Sequence, residues 1–98
     1  MDIRSSIQWA ESEIEKFAPE LPWRDSVLEQ LRYCAAVVDG KEAPERLEKL
    51  SMGWIVSREL DGLEPDTLQR TVSSISYELQ QLHLPYAAKV RLGIHRRT

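Results

Sequence analysis

The sequence predicts an all-α fold, a small antiparallel bundle of four to five helices in a single domain, residues 1–98. Two observations carry this prediction. Apolar residues recur at the 4-3-4-3 spacing of one helix face in the first and the last long segments, and no pair of segments has the alternation of paired strands. The chain has 98 residues, of which 42% are hydrophobic and 30% charged, which is the composition of one globular domain.

Prolines and a glycine delimit the first two helices. The first is predicted from Asp2 to Phe17, and the two prolines of segment 18–22 stop it because the residue before a proline is disfavoured in the α region. The second runs from about Trp23 to Val38 and ends at Asp39-Gly40, where glycine supplies a left-handed cap. The residues expected to face inward on these two helices are Ile3, Ile7, Ala10, Ile14, Phe17, Val27, Leu28, Leu31, Cys34, Ala35 and Val38.

The next helix is predicted to begin at Pro44, a residue suited to the first turn of a helix. It carries Leu47 and Leu50 on one face. Gly53 lies inside the pattern, so the helix either bends there or restarts. These three residues and Ile55 are interpreted as residues that support the fold.

The most regular helix of the sequence follows a breaker at 61–65. Pro65 and Asp66 open it and Leu84-Pro85 stops it. Its expected inward stripe is Leu68, Val72, Ile75, Leu79 and Leu82. The basic tail, residues 85–98, adds one short turn or a strand, since Val90, Leu92 and Ile94 alternate, or it stays loosely ordered.

Charge and hydropathy exclude several classes of function. The net charge of −3 combines two unequal parts: residues 1–78 hold all 16 acids and nine Lys or Arg, and residues 79–98 hold four Lys or Arg and no acid. An acidic body of this kind lacks the broad positive face that nucleic-acid binding requires. No apolar run approaches the roughly 20 residues that span a bilayer, and the first residues have no signal-peptide core, so we expect a cytoplasmic protein with no membrane partner.

Residue types that carry chemistry are few. The single cysteine, Cys34, lies on an apolar helix face, where a thiol is usually an inert small hydrophobe. His83 and His95 lack partners at metal-ligand spacing, and the four glycines are too scattered for a phosphate loop. The sequence therefore predicts no catalytic residue, no metal and no cofactor.

Acidic and aromatic residues remain as candidates for binding. Glu59, Asp61, Glu64 and Asp66 crowd around one loop. They either provide solubility and favourable charge at a helix N-terminus, or they present an anionic surface to a basic pocket on a partner. Of the three tryptophans, Trp9 lies off the stripe of its helix and is expected to be the exposed one.

The central segment resembles a known family. The motifs are Leu28-x-x-Leu31-x-Tyr33, Val38-Asp39-Gly40, Leu47-x-x-Leu50-x-x-Gly53-x-Ile55, and Glu59-Leu60-Asp61 followed by Pro65. Over residues 28–79 the chain is similar to the immunity proteins that protect bacteria against type VI secretion effectors with NAD(P)⁺-glycohydrolase toxin domains. The resemblance implies an all-helical protein without catalysis of its own, which binds a cognate toxin domain in the cytoplasm and covers its active site.

Combining the resemblance with the acidic cluster predicts the residues that contact the toxin. They are Glu59, Asp61, Glu64 and Asp66, with Arg58 and Trp54 nearby. Two other interpretations stay open: a helical adaptor or anti-activator that docks by helix packing, and a small enzyme or ligand-binding protein with a polar pocket around Cys34 or His83. Self-association into a homodimer also stays open, because heptad-like stripes build dimers.

Overall fold

Helices make up nearly all the regular structure of the computed structural model, which describes residues 2–62 and 66–93, except for the side chains of Tyr86 and Leu92. The elements are α1 (Ile3–Glu15), α2 (Pro22–Val38), a 3-10 helix (Pro44–Lys49), α3 (Met52–Glu59), α4 (Thr67–His83) and α5 (Tyr86–Leu92). No strand occurs within these ranges. The predicted all-α bundle is confirmed.

One hydrophobic core joins all of these elements. α1 packs against α2 and α4, α3 packs against α4 and α2, and the 3-10 helix packs against α4. Most residues that were predicted to face inward are buried in this core. The fully buried large side chains are Ile7, Ile14, Val27, Leu31, Cys34, Leu47, Met52, Val56, Val72, Ile75 and Leu79.

Local hydrogen bonds explain where the first two helices begin and end. The side chain of Asp2 accepts a hydrogen bond from the Ser5 amide at 2.8 Å, which caps α1 and lowers the pKa of that carboxyl. At the end of α2, Lys41 N–H donates to the Ala36 carbonyl and Gly40 N–H to that of Val37. Gly40 has a φ of 74°, so it closes this Schellman motif in the left-handed conformation that the sequence predicts.

The third predicted helix is in fact two elements. The 3-10 helix ends at Lys49, Leu50 is extended, and α3 starts at Met52, so the restart interpretation is correct and the break lies before Gly53. Gly53 has a packing role. A Cβ at this position would lie 3.3 Å from Ser73 Oγ and 3.4 Å from Ser73 Cα, and the absence of one lets α3 approach α4 closely.

Polar side chains from the two long helices hold the segment 43–60, which we call the bridging segment. Tyr33 of α2 donates a hydrogen bond from its hydroxyl to the Ala43 carbonyl and accepts one from the Arg46 amide at 3.2 Å. Gln80 of α4, 8% exposed, donates to the Leu47 carbonyl at 2.8 Å. Each bond satisfies backbone that the short 3-10 helix leaves unpaired.

Two further glutamines bind the two ends of α3. Gln30 Oε1 accepts from the Ser51 and Met52 amides, both at 2.8 Å, and Gln30 Nε2 donates to Ser51 Oγ at 3.1 Å. Gln69 Nε2 donates to the Leu60 carbonyl at 2.7 Å. Ser51, the N-cap residue of α3, makes no side-chain cap of its own, so Gln30 caps the helix from a neighbouring element.

The basic tail forms a helix as far as the structure describes it. Pro85 is the N-cap of α5, Ala88 is buried in the core, and Arg91 Nε donates to Glu48 Oε1 of the 3-10 helix at 2.9 Å. Positions 88 and 91 share one face at helical spacing, which the alternation of a strand would not allow. The strand alternative is therefore wrong for residues 86–92, and Ile94 lies outside the described residues.

The inward faces predicted for α2 and α4 need correction. Leu82 is 73% exposed, because the core at the end of α4 is closed by Leu84 after the chain leaves the helix. Val38 is only half-buried. Tyr33 and Val37, which the stripe on α2 left out, are buried because α2 packs against both α1 and α3 and so buries a wider arc than one stripe.

Removing the cap that Gln30 provides is expected to destabilise the protein. Gln30→Ala leaves the Ser51 and Met52 amides without their acceptor, which lowers the free energy of unfolding by about 1–3 kcal/mol in urea denaturation. Gln8→Ala, on the exposed face of α1, is the matched control and is expected to change stability little. Equal stability of the two variants would show that Gln30 does not support α3.

Candidate functional site

Trp54 is the exposed tryptophan of this protein, with 65% of its side chain accessible to solvent. The expectation for Trp9 is wrong: Trp9 is partly buried against the core, because α1 lies between α2 and α4 and buries residues beside its stripe. Trp23 is also partly buried and contacts Phe17 edge to face, with ring centroids 5.2 Å apart. An exposed tryptophan on a short helix is a typical feature of a binding surface.

Arg58, one turn further along α3, covers one face of the Trp54 ring. Its guanidinium carbon lies 4.4 Å from the ring centroid, within the range of a cation–π contact. The same guanidinium donates from Nε to Glu59 Oε1 at 3.2 Å. Trp54, Arg58 and Glu59 thus form one connected group at the end of α3, where three of the predicted contact residues lie together.

The other predicted acids are arranged differently. Asp61 is exposed beyond the end of α3. Asp66 is half-exposed and accepts a hydrogen bond from Arg70 Nε at 3.1 Å within α4. Glu64 lies outside the described residues. The structure therefore places Asp61 next to the α3 group in the chain, whereas the charge of Asp66 is balanced on its own helix.

A shallow groove of about 330 Å³ runs between α3 and α4 beside Trp54. Trp54 and Leu50 line the α3 side and Tyr77, 37% exposed, lines the α4 side. Gly53 of α3 lies against Ser73 of α4 in this groove. The remaining lining residues are small or polar: Ser51, Ser57, Ser73, Ser76 and Gln80. We call this feature the α3–α4 groove.

Tyr77 and the serines of the groove were not predicted from the sequence as contact residues. The sequence nevertheless contains a pattern that indicates this surface. Ser73, Ser74 and Ser76 occur together with Tyr77 in the middle of a helix that otherwise has a regular apolar stripe, which marks a solvent-facing surface with one large aromatic residue. What sequence reasoning lacked was the pairing of this surface with α3, which depends on Gly53 opposite Ser73.

Reactive side chains lie apart from this surface. Cys34 is fully buried in the core, and burial raises the pKa of its thiol to about 12, so a thiolate nucleophile is scarce at neutral pH. His83 is exposed at the end of α4, and His95 lies outside the described residues. In the part of the chain that the structure describes, no group of three or more His, Cys, Asp or Glu side chains is placed to hold a metal ion.

The fold and this surface define a small helical protein with an exposed aromatic and charged face on α3. The family model Tsi6 matches residues 3–81, which takes in α1 and extends beyond the segment 28–79 on which the sequence resemblance rests. The chain belongs to the Tsi6 family and is a type VI secretion immunity protein, for which the partner is a cognate effector toxin. No curated protein and no solved structure matches it.

Among residues 2–62 and 66–93, none of the helices combines the length and the apolar character required to cross a bilayer.

The buried thiol makes stability dependent on alkaline pH. Cys34 has a pKa of about 12 in the folded protein against an ordinary value of 9.0, so the unfolded chain loses this proton first as pH rises. Below about pH 9 the Cys34 thiol makes its full contribution to stability. Between pH 9 and pH 12 this contribution is lost, so the free energy of unfolding falls by roughly 2 kcal/mol by about pH 10.5. Urea denaturation at pH 8 and 10.5 measures it.

Cys34→Ala is the control for this pH dependence. The variant keeps the contribution of Tyr33, whose pKa burial raises above its ordinary 10.0, and loses that of the thiol. Its stability is expected to fall less steeply between the two pH values. Parallel profiles for the variant and the original protein would contradict the assignment of the effect to Cys34.

Proposed function

We propose that this protein neutralises an effector whose toxin domain is an NAD(P)⁺ glycohydrolase, and that it does so in the cytoplasm by covering the active site so that NAD(P)⁺ does not enter. The observation that carries the proposal is the match to the Tsi6 family over residues 3–81. The family is that of Tsi6, which neutralises the NADase toxin Tse6. Inhibition by contact requires no catalytic group on the immunity protein.

The surface around the end of α3 supports this mechanism. Trp54 supplies a large exposed apolar area, and Arg58 and Glu59 add polar groups at its edge. Tryptophan and arginine are the residue types most often found where binding energy concentrates in protein interfaces. α3 is held at both ends by glutamines of other helices, so little conformational entropy remains to be lost when it binds.

Charge gives a second argument that the surface around the end of α3 contacts the toxin. A cleft that binds an anionic dinucleotide attracts it with positive groups, and an acidic protein surface competes for those groups. We propose Glu59, Asp61, Glu64 and Asp66 as the acidic residues that approach the cleft, with Arg58 and Trp54 beside them. Their negative potential also accelerates association by steering at low ionic strength.

Co-expression with the toxin encoded beside this gene tests the function. We expect cells to survive with NAD(P)⁺ preserved, where the toxin alone depletes the dinucleotide. Survival from a toxin that leaves NAD(P)⁺ untouched would contradict the glycohydrolase assignment and keep the immunity role. Cell death together with failure of the two purified proteins to bind would contradict the proposal as a whole and favour the adaptor interpretation.

Charge reversal tests the acidic residues. The double variant Asp61→Lys with Glu64→Lys is expected to weaken toxin binding by at least ~2 kcal/mol, because like charges then oppose each other in the complex. Glu20→Lys with Glu42→Lys changes the net charge equally in other loops and is the matched control. Titration calorimetry measures both. Equal weakening by the two pairs would assign the effect to net charge, and no weakening by the first pair would remove these residues from the contact surface.

A further inference from the structure

The α3–α4 groove has the features of an interface centre, whereas the acidic loop has those of a rim. Fully desolvated aromatic residues usually dominate binding energy, and surrounding charged residues contribute orientation and rate. Trp54 and Tyr77 stand on opposite sides of the groove, one on each helix. The serines and Gly53 between them are small, so the depression is open to a side chain from outside.

The size of the groove limits what it holds. A volume of about 330 Å³ is at the lower end of the roughly 300–1,000 Å³ that is typical of small-ligand sites. The α3–α4 groove therefore suits one large side chain. Leu50, Trp54 and Tyr77 offer apolar surface to that side chain, and the serine hydroxyls offer hydrogen bonds at its edge.

Acidic residues lie near the groove on both helices. Glu59 accepts a hydrogen bond from Arg58, whose guanidinium covers the Trp54 ring, and Glu78 follows Tyr77 on α4, where it is exposed beside Ser73 and Ser74. Asp61 extends the negative charge beyond α3, and Arg58 is the cation among these groups. An apolar centre with acids on both sides is complementary to an apolar side chain that basic residues surround.

We infer that the α3–α4 groove receives the effector's toxin domain by accepting one apolar or aromatic side chain from the rim of its basic, dinucleotide-binding cleft. This inference rests on the proposed function and adds to it the residues Tyr77, Ser57 and Glu78, which the acidic-loop hypothesis does not contain. It also assigns different roles to the groove and to the acidic residues around it. The groove provides most of the affinity, and the acidic residues determine the orientation and the rate of association.

Two variants test the groove. Tyr77→Ala removes one wall, and Ser57→Gln fills the opening without adding charge or disfavouring the helix. Each is expected to raise the dissociation constant for the purified toxin domain by at least about tenfold, in line with the loss of a central contact. The controls are Leu82→Ala, an exposed apolar residue on the same helix, and Ser12→Gln, an exposed serine on α1. Both are expected to bind within about twofold of the original protein.

The outcomes separate this inference from the proposed function. If the original protein inhibits the toxin and the groove variants bind as well as the controls, the groove is not the contact surface although the immunity function stands. If the original protein does not bind the toxin, both proposals fail. If the groove variants change the sedimentation coefficient of the protein without toxin and leave toxin binding intact, the groove is occupied by a second copy of this chain. The inference is then overturned. Thermal melting confirms that Ser57→Gln and Tyr77→Ala fold.

Discussion

The bridging segment is held in place by side chains that reach it from α2 and α4. Its backbone is a short 3-10 helix, an extended break and an eight-residue helix, and none of these would be stable alone in water. Gln30, Tyr33, Gln69 and Gln80 satisfy its carbonyls and amides at four points along its length. The bonds of Tyr33, Gln69 and Gln80 and the bond from the Met52 amide to Gln30 are buried or half-buried, so losing any one of them leaves a backbone group without its partner.

This arrangement links the core to the proposed contact surface. Met52 and Val56 of α3 are buried in the core, and Trp54 and Arg58 lie on the exposed side of the same short helix. The glutamines thus hold the helix that carries the exposed tryptophan. A binding residue on such a support is oriented before its partner arrives, which reduces the entropy that binding costs.

How far the sequence predicts this molecule depends on the range of the interactions. The 4-3-4-3 stripes predicted α1 and α4 within about two residues, because helical periodicity is a local property. The break before α3 depends on Gln30, which lies 21 residues before Ser51 and on another helix, so no local pattern contains it. The groove depends in the same way on Gly53 meeting Ser73.

The exposure of the tryptophans likewise depends on packing between helices, which local sequence patterns do not contain. Trp9 and Trp54 are both placed by their helices, but the neighbours of each helix decide which of them is covered. α1 packs between two long helices, and the side of α3 that bears Trp54 faces solvent. The resemblance to an immunity family and the proximity to the acidic cluster predicted Trp54 as a contact residue. Its exposure depends on how α3 packs, which no local pattern contains.

The ion pairs of the surface explain how charged residues can serve a partner without being essential to the fold. Arg58–Glu59 and Arg70–Asp66 are exposed pairs, and such pairs contribute between nothing and about 1 kcal/mol to stability. They can exchange partners in a complex at low cost, because the fold is held by the core and by the glutamine hydrogen bonds. In the proposed complex, affinity depends mainly on the aromatic centre, and the acidic residues around it are free to pair with basic groups of the toxin.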